Sequence, residues 1–158
     1  VAASTALQRG ASLAIFMQEL AILEGELRDY CVDQGLPSLA LYTWRRPSIM
    51  SPALYHVLAS DQVSMPDMSR FQDLPTLSTR IAIAYGDESY EVDAVLMGYI
   101  DCYRQIMDPP LHDVSKPLNG AATFINRVGM RTIPENLSGI PYHAVEFLHT
   151  FQLNRFVA

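Results

Sequence analysis

The sequence predicts an α+β domain: a mostly antiparallel sheet of four to five strands flanked by two main helices, in the order α-β-β-β-α-β-β. Three observations lead there. A long N-terminal stretch repeats apolar residues every three to four positions. A central stretch alternates strictly between two residue sets, as a strand does. Two further alternating runs close the chain, joined by a connection too short to hold a crossover helix, so they pair antiparallel. The 158 residues suit a single domain, 1–158, with no internal repeat and no low-complexity tract.

The first helix is expected from about Ser4 to Gln34. Leu13, Phe16, Leu20, Leu23, Leu27 and Tyr30 fall on one face, and Gln8, Ser12, Glu19, Glu26 and Asp33 fall away from it. Such a stripe also suits a coiled-coil seam, but no second long heptad segment follows, which favours packing on a sheet. Gly35-Leu36-Pro37 is a stop signal, because glycine accepts the left-handed cap and proline cannot continue the helix. Leu39–Trp44 and Ala53–Ala59 read as strands, with Pro47 and Pro52 marking a stiff connection or a sheet edge. Ser60–Pro75 has two prolines and no period and reads as a long loop.

Thr76–Tyr85 is the cleanest strand, with Leu77, Thr79, Ile81, Ile83 and Tyr85 opposite Ser78, Arg80, Ala82 and Ala84. A second helix follows, with Asp87 or Ser89 as its cap and Val92, Val95, Leu96, Tyr99, Tyr103 and Ile106 as its apolar face. Asp108-Pro109-Pro110 ends it, and a loop runs to about Asn119. The last strands are Ala122–Ile133, where Phe124, Val128 and Met130 alternate with Arg127 and Arg131, and Tyr142–Phe156, where Val145, Phe147, Phe151 and Leu153 alternate with Glu146, Thr150 and Gln152. Pro134–Pro141, with Asn136 and Gly139, connects them.

Composition narrows the function. Hydrophobic residues make up 49% and charged residues 18%, which argues for a packed core. The net charge of −6 argues against tight nucleic-acid binding, which needs clustered cations, but is compatible with DNA sliding past without adhering. Lys116 is the single lysine, so there is no polybasic segment for a lipid surface, and the acidic breaks in the N-terminal apolar stretch argue against a membrane span. No targeting signal is legible, which points to synthesis in the cytoplasm. Cys31 and Cys102 fall in separate helices and read as buried reduced thiols.

Motifs for catalysis or cofactors are missing from the sequence. There is no phosphate-binding loop, no dinucleotide fingerprint, no nucleophile elbow, no paired zinc-ligand motif and no C-x-x-C. No cofactor, metal or catalytic residue is therefore expected. His143 and His149 share one strand face but stand about 20 Å apart, too far for one ion without a third element. The acidic group Asp87, Glu88, Glu91 and Asp93 is explained by the positive end of a helix. Arg45 and Arg46, beside Trp44, suit a surface or inter-subunit ion pair. The loop Ser60–Pro75 carries Met65, Met68 and Phe71 interleaved with Asp61, Asp67 and Asp73; apolar groups on a loop invite cover by a partner. Arg45, Arg46, Asp61, Met65, Met68 and Phe71 are thus the candidate partner-binding residues.

The layout carries a resemblance. A long helix ends at Gly35-Leu36-Pro37; Ser51-Pro52-Ala53-Leu54-Tyr55-His56-Val57 opens a strand; Thr79-Arg80-Ile81-Ala82-Ile83 alternates. A helix with Leu96-x-x-Tyr99-x-x-x-Tyr103 follows, then a hairpin ending in Ala144-Val145-Glu146-Phe147-Leu148. This arrangement resembles the tail terminator (tail completion) proteins of long-tailed bacteriophages and their neck relatives, over nearly the whole chain. The resemblance implies a virion structural protein without catalysis, assembled in the host cytoplasm. It implies a homo-oligomer, a hexameric ring at the head-proximal end of the tail tube that ends tube polymerisation and joins tail to head. Its partners would be the tail tube protein and the head-tail connector protein, with DNA passing through the lumen unbound. The loop Ser60–Pro75 is a departure from the family pattern. Another head-tail joining protein is the nearest alternative, and a small soluble enzyme or binding domain the more distant one.

Overall fold

Thirty-two residues, Ala2–Asp33, form the first helix, α1. The computed structural model of the protein describes residues 2–63, 73–84 and 91–153, and the side chains of 13–58, 76–84, 91–122 and 125–153. The end of α1 is as the sequence predicts. Gly35 takes φ +83, and the N–H groups of Leu36 and Gly35 donate to the carbonyls of Cys31 and Val32, satisfying the last turn. Phe16, Leu20, Leu23 and Leu27 are buried, with Leu13 and Tyr30 packed at the margin, so the apolar stripe does face the domain core.

Five strands follow: β1 (Ala40–Trp44), β2 (Ala53–Val63), β3 (Asp73–Ala84), β4 (Ala122–Leu137) and β5 (Ile140–Leu153). They form one sheet in the order β1-β2-β3-β5-β4. Every pairing is antiparallel except β1 with β2, which is parallel. Between β3 and β4 lie α2 (Val92–Ile106), the single turn α3 (Asp108–Leu111) and a 3₁₀ turn at Pro117–Gly120. The α+β order α-β-β-β-α-β-β is that of the folded chain, α3 and the 3₁₀ turn filling what reads in sequence as a loop.

The main core lies between the helices and one sheet face. Leu54, Ile81, Ile83, Val145, Phe147 and Phe151 meet Leu20, Leu27, Leu96 and Tyr99 there. Two ring stacks tie helices to β5: Phe16 on Phe151, centroids 4.4 Å apart, and Tyr103 on Phe147, 3.8 Å. The opposite sheet face holds a smaller cluster of Tyr55, Ala82, Leu137, Tyr142 and Ala144.

Several expected boundaries move. Both ends of the expected loop Ser60–Pro75 are strand: Ser60 pairs with Thr76, Asp61 with Pro75 and Val63 with Asp73, while residues 64–72 lie outside the described residues. Pro75 is tolerated because β3 has no β5 partner until Thr76, so that side of the ladder needs no N–H. Pro134 lies on the edge strand β4, and Pro141 lies beyond the last described pairing of β3 with β5. The connection Pro134–Pro141 is therefore strand as well, reduced to a two-residue turn with Ser138 at φ 52 and Gly139 at φ 83, the left-handed pair that matches strand twist. The cap of α2 falls on Glu91, with no side-chain capping bond; Asp87, Glu88 and Ser89 lie outside the described residues. Asp108-Pro109-Pro110 ends α2 but opens α3, since proline suits a first helical turn.

The alternation expected in β4 breaks at a bulge between Arg127 and Gly129. The extra residue flips the parity, so Ile125, opposite Phe151, and Met130, opposite Phe147, both meet the core, while Val128 is 53% exposed. Replacing Phe147 with alanine is expected to cost about 3–5 kcal/mol of unfolding free energy, against less than about 0.5 kcal/mol for Val128→Ala, measured by urea denaturation. Equal losses would contradict the bulge.

Candidate functional site

The edge strand β1 and helix α1 leave a groove of about 400 Å³ between them, lined by Leu13, Ala14, Met17, Gln18, Ala21, Thr43 and Trp44. Its walls are apolar apart from Gln18 and Thr43. Trp44 is 39% exposed at the mouth, and Ile15 and Ile22 are exposed nearby on α1. No described strand pairs with the outer side of β1. Partial exposure of tryptophan beside an open strand edge is the composition of a contact surface. Arg45 and Arg46 sit just beyond. Arg46 lies over the Tyr42 ring, 5.2 Å from its centroid. Arg45 is half exposed and donates to Glu135 Oε1 at 2.9 Å, an ion pair within the chain.

That pair belongs to a polar row across the open sheet face. Tyr55, Arg80, Glu146 and Arg131 are register partners on β2, β3, β5 and β4 in turn. Arg80 reaches both carboxylates, donating to Glu135 Oε2 at 2.6 Å and Glu146 Oε2 at 3.1 Å. Tyr55 donates its hydroxyl to Glu135, and Ser78 and Arg131 donate to Glu146. Burial pushes both carboxyls up, yet the hydrogen bonds and guanidinium charges outweigh it, and both sit below the ordinary value of 4.5. Burial and the bond to Glu135 push the Tyr55 phenol up.

A second buried charge pair pins α1 to the sheet. Glu24 Oε2 lies 2.6 Å from His56 Nε2, and His56 Nδ1 lies 2.6 Å from the Thr43 carbonyl. The Thr43 carbonyl can only accept, so Nδ1 donates to it, and a Glu24 carboxylate accepts from Nε2 of a protonated ring. Burial lowers its pKa, but the Glu24 charge, the Glu24 bond and the Thr43 bond together hold it above 6.5. A smaller recess of about 100 Å³, lined in part by Met17, Ala21 and Tyr42, leads to this pair from the β1 side.

On the same helix-facing side of the sheet, α3 and its capping residue bring Asp108 and His112 to His149 of β5. One ligand atom of each lies within 4.8 Å of the others. Burial, then the charges of His112 and Arg127, lower the His149 pKa to about 3, so the ring is neutral. Arg127 donates to Asp108 Oδ2 at 2.7 Å. Cys31 and Cys102 are free, buried and in contact, and burial pushes both thiols up, consistent with inert reduced groups.

The chain matches no family model and no curated protein.

Of the residues singled out in sequence, Arg45 and Arg46 flank the groove, though their polar bonds are intramolecular. Asp61 pairs in β2, and its side chain lies outside the described residues, as do Met65, Met68 and Phe71. Sequence reasoning missed Glu24, which reads as a break in the apolar stretch but faces the core. It also missed α3 as the third element that joins His149. A histidine, aspartate or glutamate at an inward position of a helix or strand was the available signal.

The Glu24–His56 pair gives a pH signature. A raised histidine pKa contributes stability that is full below the unfolded value of 6.5 and is lost as pH rises through the folded pKa. Glu24→Gln is therefore expected to cost about 3 kcal/mol near pH 6, and the gap from the unmodified protein to narrow as pH rises, in urea titrations over a pH series. A gap constant with pH would contradict a charged His56.

Proposed function

We propose that this protein is a structural subunit of a bacteriophage neck, a tail-terminator-like protein that closes into a ring at the head-proximal end of the tail tube. In this reading it ends tube polymerisation and joins the tail to the head connector, and it performs no catalysis. The observation that carries the reading is that, among the described residues, the sheet ends in two unlike strands, each with no strand on its outer side. On one side is β1, short, with an apolar groove and Trp44; on the other is β4, sixteen residues long, with Val128 and Arg131 exposed. Two different surfaces on opposite sides of one subunit suit heterologous, head-to-tail contact, which closes into a ring when the rotation allows. A single self-complementary patch would suit a two-fold dimer instead.

Two further features support it. The element order that underlies the resemblance to tail terminators is the order of the folded chain. The net charge of −6 suits a lumen through which DNA slides without adhering. No helix among the described residues is long and apolar enough to cross a membrane.

Light scattering over a wide concentration range tests the reading. The protein is expected to approach the mass of six chains, and Trp44→Asp, which puts a charge at the groove mouth, is expected to hold it at one chain with its circular dichroism unchanged. A stable two-chain species, or assembly indifferent to Trp44→Asp, would count against it.

A further inference from the structure

Among the described residues, two buried side-chain atoms have no hydrogen-bond partner, Asp108 Oδ1 and His149 Nε2, and both belong to the cluster at α3. A buried polar atom without a partner costs roughly 1–3 kcal/mol, so two in one place call for a physical reason. We propose that Asp108, His112 and His149 together bind one divalent transition-metal ion of the zinc class.

The geometry is near that of a metal shell. The ligand atoms lie within 4.8 Å of one another, and His112 Nε2 stands 3.8 Å from Asp108 Oδ1. Donors around a tetrahedral zinc at about 2.0–2.2 Å sit roughly 3.3 Å apart, so the cluster closes on an ion by small side-chain rotations. His112 caps the end of α3 and donates its backbone N–H to the Asp108 carbonyl at 2.9 Å, which puts the two residues on one side of the turn. His149 is 4% exposed, while Asp108 and His112 are partly exposed, so the ion has a path in from solvent and a fixed donor behind it. Arg127 bonds the other carboxylate oxygen, Oδ2, and leaves Oδ1 turned into the cluster, as an outer-shell partner does.

Two imidazoles and one carboxylate select zinc and its neighbours over calcium or magnesium, which favour all-oxygen shells. Three protein donors leave a fourth position for water. The charge of Arg127 offsets that of Asp108, so the site binds more weakly than a thiolate zinc site. Bound there, the ion ties α3 to β5. This inference is independent of the assembly role.

The test uses the tag-free full chain, stripped with chelator and titrated with zinc chloride by isothermal calorimetry, and with cobalt(II) followed by visible absorption. One zinc per chain and a tetrahedral cobalt spectrum are expected. His112→Ala, at a partly exposed ring, is expected to weaken zinc binding at least about tenfold while circular dichroism shows the fold intact. His143→Ala, on the same strand but outside the cluster, is expected to leave it unchanged. Absence of saturable zinc binding, or saturable binding that neither His112→Ala nor His149→Gln weakens, would overturn the proposal.

Discussion

Arg80 holds the sheet in register. It stands on β3, the central strand, and its guanidinium reaches Glu146 of β5 and Glu135 of β4 at once. Tyr55 on β2 donates to the same Glu135 oxygen, Oε2. Because side chains alternate along a strand, a slip of one residue would carry these charges into the apolar core and Ile81 and Val145 out of it. The polar row and the apolar core thus specify the same alignment from opposite faces. A buried charge row of this kind adds little net stability compared with well-packed apolar residues, but a misaligned one is costly, which makes it a device for uniqueness.

Everything on the helix side inherits that register. Val145, Phe147 and Phe151 present one surface to α1 and α2, and the same parity turns His149 inward to α3. His56 shares the face with Leu54 and so meets Glu24 beneath α1. The groove beside β1 is what remains where α1 overhangs a strand of only five residues.

Much of this was legible in the sequence, and the failures have physical causes. The stripe from Phe16 to Leu27 and the alternation from Leu77 to Ile83 each report one face of a regular element, and both are faithful. Prolines misled, because Pro75, Pro134 and Pro141 sit where, among the described residues, the ladder is paired on one side alone. Val128 misled because a bulge between Arg127 and Gly129 resets the period, and Gly129, a glycine inside a strand, was the local sign of it. The partner surface was sought in Met65, Met68 and Phe71, whereas the groove among the described residues is built by Met17, Ala21 and Trp44, which no local pattern joins. Asp108 and His149 are distant in sequence, and only the fold brings them together.

On the proposed reading, the two sheet edges are the functional feature and the core is their scaffold. Open edges invite uncontrolled pairing, and a closed ring of subunits satisfies each edge with its neighbour's opposite one. Electron microscopy of the purified protein at high concentration, with and without tail tubes, tests this most directly. The account predicts class averages of closed sixfold rings, free or seated on one end of a tube; two-fold particles with β1 packed against β1 would contradict it.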